Sequence, residues 1–472
     1  MHSSNNKRHL LICLGLALAF CLYHGLKVND RGTGDDAREF WATAYHIQRH
    51  NSFSMQHTQG VPDKLDAYRP PVYPLLMAGV IELVPELRTS DFSWLFNPPP
   101  GGGDPVPPAS LKTMKYLQVL FYLGAAFTAM ALLIRFTGNR NWGYAAFVLT
   151  AIHPFMDSFV NRYYSELTAT VLVGLFALLF HQAVRRRNLG WFAVAGLCLG
   201  VLTLTRAQWY YVGPACGLYA VLVGLIRKNE RKALGRLTAG ALLMCLLMFL
   251  LVLPWKERNQ EQFGRGFITE RAGIALDLRS RYSLMTGKEI LASFLYWTRM
   301  SELRDDLLPR LMDRADYRNL IREEGYYFQA LQRSGELEAQ YPRAEADLIQ
   351  FREAAHRLLS HPLHYLRSLP SLTYRGMIDG HLSVFNLLIW AACFAVVWKL
   401  LRRGEWEQLA AYAPLMALWG FNSLVTHGLS RYNGTGSVLL VVALTHYFWL
   451  RREKRRAGKE EPPYDPRSTR ER

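Results

Sequence analysis

Ten apolar runs, separated by short basic connections and two long polar segments, constrain the fold of this 472-residue sequence more than any other feature. The runs occupy residues 10–26, 111–134, 142–156, 163–184, 191–205, 207–226, 237–253, 384–401, 409–425 and 438–450. A helix needs about 20 mostly apolar residues to cross the hydrocarbon core of a bilayer, and several runs are somewhat shorter. The pattern predicts an all-α polytopic membrane protein with about ten transmembrane helices.

Lysine and arginine cluster on alternate connections between the runs. The clusters lie at residues 7–8, 135–140, 185–187, 227–232, 399–403 and 451–456. Because cytoplasmic connections carry the excess of Lys and Arg, this side is predicted to face the cytoplasm, and both long polar segments then lie outside. Residues 10–26 predict an uncleaved anchor, since the run exceeds the apolar core of a usual signal peptide. We therefore expect a multi-pass protein of the bacterial cytoplasmic (inner) membrane, with its site facing the periplasm.

The polar segments divide the chain into four predicted parts. Residues 1–254 form a transmembrane core that includes the first outer loop, residues 27–110, with its interfacial helices. Residues 255–383 form a small helical outer segment, because apolar residues recur there at helical spacing between prolines. Residues 384–450 return to the membrane, and residues 451–472 form a basic cytoplasmic tail.

The net charge of +17 and the six cysteines narrow the classes of partner. Since the basic residues cluster at the ends of the runs without interleaved aromatics, membrane lipids explain the charge, and nucleic acid is not an expected partner. All six cysteines lie inside apolar runs, so neither polar segment can form an internal disulfide. Walker, Rossmann, HExxH and CxxC patterns are absent from the sequence, and ATP-driven or zinc-protease chemistry is therefore poorly supported.

Two adjacent carboxylates, Asp35 and Asp36, open a predicted amphipathic helix shortly after the first run. Phe40, Ala44 and Ile47 share one face of this helix, which we expect to lie on the membrane surface with that face in lipid. A carboxylate held there can act as a base on substrates that arrive from the bilayer. The alternative is that both carboxylates are ordinary helix N-terminal charges, favoured by the macrodipole.

Other charged side chains stand at the predicted outer ends of the runs. Glu166 lies about one turn into an apolar run, where a carboxylate usually faces a polar cavity or a partner; a helix-start charge is the alternative. Arg206 separates two runs with almost no connection, and it is either a snorkelling turn residue or a phosphate ligand. Arg258 and Arg431 also stand at outer ends, so several cations border this face.

Six stretches, taken together and in order, resemble the polytopic glycosyltransferases of the C superfamily, among them the protein O-mannosyltransferases and the aminoarabinose transferase of lipid A. The stretches are Gly34-Asp35 running into Glu39-Phe40 and Ala44, Arg69-Pro70-Pro71-Val72-Tyr73-Pro74, Ser165-Glu166, Leu253-Pro254-Trp255-Lys256-Glu257-Arg258-Asn259 with Phe263-Gly264, Ser360-His361-Pro362 with Tyr365-Leu366, and Ser430-Arg431-Tyr432. The resemblance implies transfer of a sugar from a polyprenyl-phosphate carrier to an envelope acceptor, which is a glycolipid, a polysaccharide or a protein.

The resemblance also implies roles for single residues. It assigns the base to Asp35, with Asp36 as the rival, and phosphate binding to Arg431. It extends substrate binding to the matching positions Arg69, Tyr73 and Tyr432. The sequence departs from the family pattern directly after Tyr432, where Asn433-Gly434-Thr435-Gly436 lacks the expected prolines.

The residues also fit the chemistry of such a transfer when the family resemblance is set aside. A base must deprotonate the acceptor hydroxyl, which Asp35 or Asp36 can do, and cations must hold the departing phosphate, which Arg206, Arg258 and Arg431 can do. No cofactor is firmly implied; a divalent metal is open, because the two aspartates can ligate one, although no complete ligand set is present in the sequence. A polysaccharide polymerase or ligase and a lipid-glycan transporter stay as alternatives; a transporter predicts paired, interrupted segments in two halves.

Overall fold

The computed structural model describes residues 2–30, 35–90, 92–96, 109–227, 231–298, 301–378 and 383–460. Within these ranges the chain is helical and contains no β-strand, which confirms the predicted all-α class. The first half contains α1 (His2–Lys27), α2 (Asp35–His50), α3 (Val72–Leu83), α4 (Pro85–Thr89), α5 (Ser93–Phe96), α6 (Lys112–Thr137), α7 (Arg140–Ala151), α8 (Pro154–Phe159), α9 (Glu166–Arg186), α10 (Leu189–Thr205), α11 (Trp209–Ile226) and α12 (Arg231–Phe263).

The second half of the chain starts with a series of helices in the predicted outer segment and then returns to apolar helices. These are α13 (Ala272–Ser283), α14 (Gly287–Trp297), α15 (Ser301–Leu311), α16 (Arg314–Tyr317), α17 (Tyr326–Glu338), α18 (Arg343–Ser360), α19 (Pro362–Met377), α20 (Ser383–Arg403), α21 (Trp406–Ala410), α22 (Ala413–Val425), α23 (Ser430–Gly434) and α24 (Ser437–Glu460). Each predicted apolar run therefore falls mainly on helical chain. The run at 142–156 is split between α7 and α8, because Pro154 starts a new helix, and the run at 409–425 is split between α21 and α22.

Six helices in the described residues are long and apolar enough to cross a membrane, which is the composition of a multi-pass membrane protein. They are Asn6–Lys27, Ala109–Thr137, Glu166–Arg186, Trp209–Ile226, Lys232–Phe263 and Phe385–Arg403. The predicted count of about ten is not confirmed. Val72–Leu83, Leu189–Thr205 and Ala413–Val425 are apolar but fall short of the roughly 20 residues that a perpendicular crossing requires.

The helices of the bundle approach one another most closely where glycine faces a neighbour. A Cβ added to Gly196 of α10 would lie 2.5 Å from the carbonyl oxygen of Met244 on α12, and one added to Gly240 of α12 would lie 2.2 Å from the ring of Phe192 on α10. Small residues at such contacts let backbones pack closely where apolar burial alone cannot drive association. Close packing at these two glycines therefore determines how near α10 and α12 lie to each other.

The helix α2 packs its apolar face on protein. Phe40, Trp41 and Ala44 are buried, and the Phe40 ring meets the ring of Tyr73 on α3 edge-on, with centroids 4.9 Å apart. The expectation that this face lies in lipid is therefore wrong, because α3 and α5 supply the apolar partner. An amphipathic pattern alone does not distinguish these two environments.

The outer segment, α13 to α19, has a hydrophobic core of its own. Leu278, Tyr282, Trp297 and Leu372 are among its buried side chains. Fully buried Arg279 joins this core to the bundle, since its Nε donates to the carbonyl oxygen of Leu424 on α22 at 3.3 Å. The helix α12 runs through residue 254 without a break, and the division of the chain into four parts stays a prediction.

Candidate active site

Charged side chains from five segments meet at one end of the bundle, the end that the sequence predicts to face outside. Asp36 and Glu39 lie three residues apart on α2 and so share one face of that helix. The other members are Arg69, which precedes α3, Glu166, the first residue of α9, Arg206, which ends α10, and Arg431 on α23. We call these six residues the ion-paired set.

Arg69 ties the first outer loop to the start of α2. Its Nη2 donates to Asp36 Oδ1 at 2.5 Å, its Nε donates to Glu39 Oε2 at 2.9 Å, and Nη2 donates to Glu39 as well. The guanidinium also lies over the Phe40 ring, 4.9 Å from its centroid. Two prolines follow Arg69, and their fixed backbone restricts the direction from which it reaches α2.

Arg431 links the same aspartate to the membrane bundle. Its Nη2 donates to Asp36 Oδ2 at 2.9 Å, and its Nε donates to Glu166 Oε1 at 3.1 Å. Arg206 Nη1 lies 3.0 Å from the same Glu166 oxygen. The Glu166 side chain is 1% exposed, so this carboxylate is a buried counter-ion for two arginines.

The six charges balance, with three carboxylates facing three guanidinium groups. Burial opposes the ionisation of Asp36, but the guanidinium groups of Arg69 and Arg431 outweigh it and hold the pKa of this carboxyl well below its usual range. A carboxylate with so low a pKa is a weak proton acceptor at neutral pH. Asp36 is therefore suited to orienting arginines.

Arg271 is a fourth arginine at this site, and no sequence motif pointed to it. Its guanidinium lies 4.6 Å from the centre of the Tyr68 ring, and its charge helps to lower the pKa of Asp36. Unlike the arginines of the ion-paired set, it forms no ion pair with any carboxylate in the described parts of the chain. The Arg271 side chain is half-buried.

The remaining predicted site residues lie in different surroundings. The α2 helix begins at Asp35, but the side chain of Asp35 lies outside the described residues. Tyr73 is fully buried beneath the site, and its hydroxyl donates to Gln118 Oε1 at 3.3 Å. Tyr432 follows Arg431; its carbonyl oxygen accepts a hydrogen bond from Gln208 Nε2 at 3.3 Å.

Arg258 lies on the extension of α12 beyond the bundle. Its Nη1 donates to the carbonyl oxygen of Asp66 at 2.9 Å and to Asn259 Oδ1 at 2.8 Å, and its guanidinium lies 5.0 Å from the centre of the Trp255 ring. These contacts fasten the first outer loop to α12. Among the described contacts, none joins Arg258 to the ion-paired set.

No group of three His, Cys, Asp or Glu residues among the described side chains is placed to hold a metal ion. Both carboxylate oxygens of Asp36 already accept hydrogen bonds from guanidinium groups, which does not fit a metal ligand. A metal site that includes Asp35 stays a prediction.

The arrangement of helices is similar to that in solved structures of an archaeal oligosaccharyltransferase, and this likeness confirms the fold that the resemblance implies. Three solved structures of the Archaeoglobus fulgidus oligosaccharyltransferase are similar to the chain. The complex with Zn and sulfate has a TM-score of 0.50 and 15% identity, and the match covers 93% of this chain and 49% of that chain.

The other two structures are also of oligosaccharyltransferase from Archaeoglobus fulgidus. The complex of oligosaccharyltransferase AglB with an inhibitory peptide and a dolichol-phosphate has a TM-score of 0.52 and 13% identity, and the match covers 98% of this chain and 52% of that one. The form tethered to an acceptor peptide with the NVT sequon has a TM-score of 0.50 and 13% identity, with 94% and 50% covered. The chain thus spans about half the length of these neighbours. No protein-family model and no curated protein matches it.

Proposed function

We propose that the protein is a membrane glycosyltransferase that moves a sugar from a polyprenyl-phosphate carrier to an envelope acceptor on the outer side of the cytoplasmic membrane. One observation carries the proposal: the six residues of the ion-paired set come from five segments of the chain and meet at the predicted outer end of the bundle. The shared fold and the neighbour's dolichol-phosphate support a lipid-linked donor.

In this proposal Asp35 is the general base, which removes the proton of the acceptor hydroxyl as that oxygen attacks the anomeric carbon. Asp36 is the poorer candidate, because Arg69 and Arg431 occupy both of its oxygens and lower its pKa. A base held near its substrate contributes about 100- to 10,000-fold to the rate. The proton on Asp35 then leaves with the products.

The carrier phosphate departs with the electron pair of its bond to the sugar and needs cations close by. Arg271 meets this need most directly, since its guanidinium is engaged by a ring and by no described carboxylate. Arg431 is the second candidate: Nε and Nη2 hold Glu166 and Asp36, and the Nη1 group is not used in these two bonds. The acceptor is proposed at the level of its class: a glycolipid, a polysaccharide or a protein.

The test starts from the sugar itself. Mass spectrometry of envelope glycans and glycoproteins, from cells with and without the gene, identifies what is transferred and to which acceptor. Transfer from the matching polyprenyl-phosphate sugar is then measured with purified Asp35→Asn, which keeps the size of the side chain and removes its basicity. Turnover is expected to fall by about 100-fold or more in membrane-inserted protein.

Asp36→Asn is the matched comparison, because it makes the same chemical change one residue along α2. Its turnover is expected to fall less than that of Asp35→Asn, since Glu39 and Glu166 still hold Arg69 and Arg431. Near-normal turnover in Asp35→Asn with a large loss in Asp36→Asn would move the base to Asp36. Near-normal turnover in both variants would reject this site.

A further inference from the structure

Arg431 stands on a helix that is too short to hold its own direction. The helix α23 has five residues, Ser430–Gly434, and a helix of fewer than about 12 residues has little stability of its own. Its orientation must therefore come from contacts with the elements around it. Prolines, which would restrict the backbone after Tyr432, are absent, and asparagine and glycine stand there instead.

The side chain of Asn433 fastens α23 on two sides. Its Oδ1 accepts from Asn422 Nδ2 on α22 at 2.8 Å, and its Nδ2 donates to the carbonyl oxygen of Gly376 on α19 at 2.9 Å. Asn433 is 3% exposed and Asn422 is fully buried, so these bonds are shielded from water. We call these three residues the amide link. It joins α23 to the bundle and to the last helix of the outer segment.

The amide link acts on the face of α23 that lies opposite Arg431. Residues two positions apart on an α-helix point in directions about 200° apart. The Arg431 guanidinium therefore projects away from the link, and it donates to Asp36 at 2.9 Å and to Glu166 at 3.1 Å. Because the short helix moves as one piece, holding Asn433 also sets the direction of Arg431.

Close packing beside the amide link restricts α23 further. A Cβ added to Gly434 would overlap the ring of Phe155 on α8. One added to Gly376 would lie 2.9 Å from Asn433 Nδ2, so α19 approaches the amide as closely as a residue without a side chain allows. The contacts of α23 thus come from α8, α19 and α22, and a change at Asn433 removes two of them together.

We propose that Asn433 is a positioning residue: through the amide link it aims Arg431 at Asp36 and Glu166, and so holds the guanidinium where the departing donor phosphate needs a cation. The inference rests on the proposed function, because that function assigns Arg431 to the donor. Asn433 acts through Arg431 and does not itself contact the substrate. Its loss should therefore affect use of the donor, and by no more than the loss of Arg431 does.

A double-mutant cycle of Asn433→Leu and Arg431→Ala tests the proposal. Leucine keeps the approximate size of Asn433 and removes both hydrogen bonds. On its own, Asn433→Leu is expected to lower kcat/KM for the donor about tenfold, while KM for the acceptor stays within about twofold. In Arg431→Ala it should lower donor kcat/KM by less than about twofold, because no guanidinium is left to aim.

Apparent melting temperatures of the same four proteins in detergent test the link without reference to activity. The fall caused by Asn433→Leu is expected to be smaller in Arg431→Ala than in wild type, because the ion pairs that the link supports are already lost. Gly376→Ala is a milder change from the outer segment, since its methyl group pushes against Asn433 Nδ2. It should show the same coupling with a smaller loss, and it replaces Asn433→Leu in the cycle if that variant does not fold.

Gln350→Leu is the matched control, because Gln350 is also a buried amide. Its Nε2 donates to Asp277 Oδ2 and to the carbonyl oxygen of Ala330, both at 3.0 Å, and both partners belong to the outer segment. This substitution should lower the melting temperature equally in wild type and in Arg431→Ala. It should leave the ratio of donor kcat/KM to acceptor kcat/KM unchanged.

Additive effects of Asn433→Leu and Arg431→Ala on donor kcat/KM, in an active enzyme, would overturn the proposal even if the melting temperatures were coupled. Equal effects of Asn433→Leu on donor and acceptor would also overturn it. Coupled melting temperatures in a protein whose wild type transfers no sugar would leave the link between Asn433 and Arg431 standing and reject the proposed function.

Discussion

Arg431 divides its guanidinium between two carboxylates, and this division limits how it can serve a substrate. Nη2 holds Asp36 and Nε holds Glu166, so one side chain joins α2 to α9. An anion that approaches can use the N–H groups that these two bonds leave, but it shares the positive charge with both carboxylates. The flat fork of donors matters here, since a lysine ammonium is a point charge and cannot reproduce this geometry.

We predict that Arg431→Ala weakens use of the carrier lipid more than use of the acceptor, and that Arg431→Lys keeps part of it. The measurement is the steady-state KM and kcat for each substrate at matched protein levels, with an expected loss of about tenfold or more in kcat/KM for the donor. Arg451→Ala, on the basic C-terminal end of α24, is the control for general loss of positive charge. Donor kinetics equal to wild type in Arg431→Ala would remove Arg431 from the site.

The sequence allowed several site residues to be proposed, because acidic and basic side chains at the ends of apolar runs have few structural roles. It could not show that Glu166 pairs with both Arg206 and Arg431, since these residues are brought together by the packing of α9, α10 and α23. Arg271 was missed for the same reason. It lies in a polar segment rich in arginine, and the spacing of residues does not distinguish it from the other arginines there.

At the scale of helices, the packing of α10 against α12 leaves no room for a side chain at Gly196. Gly196 faces the backbone of Met244, which cannot move aside as a side chain can. Gly235, also on α12, has no atom within 4 Å of the position that its Cβ would take. Alanine at Gly196 changes both helix packing and helix propensity, whereas alanine at Gly235 changes helix propensity alone. Comparing the two variants therefore isolates the effect of packing.

We predict that Gly196→Ala lowers the apparent melting temperature of the detergent-solubilised protein and the yield of folded protein, because α10 and α12 must separate to admit one methyl group. Gly235→Ala should be neutral or stabilising by up to about 1 kcal/mol, since alanine is the better helix former. Thermal unfolding followed by circular dichroism measures both variants. Equal melting temperatures would show that the bundle tolerates a wider spacing.

Helix positions were predictable from hydrophobic runs, but helix environments were not. The predicted amphipathic helix α2 has one apolar face whether its partner is lipid or protein, and the structure places α3 and α5 against that face. Span number was uncertain for a related reason. The helices Leu189–Thr205 and Ala413–Val425 are apolar but too short for a perpendicular crossing of the bilayer. Composition alone therefore does not show how deeply each of them lies in the membrane.

For the whole molecule, the first prediction concerns orientation. The basic clusters predict that both long polar segments lie outside and that both termini are cytoplasmic. A reporter active in the periplasm is expected to work when fused after Gly102 or after Glu336, and a reporter active in the cytoplasm when fused at Arg472. Silence from either outer fusion would place the ion-paired set on the wrong side for a carrier sugar presented to the periplasm.

The helix α12 has 33 residues and continues past Pro254 to Phe263. At 1.5 Å per residue it is roughly 50 Å long, whereas the hydrocarbon core of a bilayer is about 30 Å thick. A helix this long answers a thinner or thicker bilayer by changing its tilt. Its far end carries Arg258, which holds the carbonyl oxygen of Asp66, three residues before Arg69.

A change in acyl-chain length is therefore expected to move the first outer loop, and sugar transfer should show an optimum in reconstituted vesicles of graded thickness. Arg258→Gln, which weakens the link to Asp66, should flatten that optimum more than it lowers the maximum. A rate independent of chain length in the wild type would contradict this. In the proposed transferase, such a link makes the thickness of the bilayer that carries the donor lipid a determinant of the transfer rate.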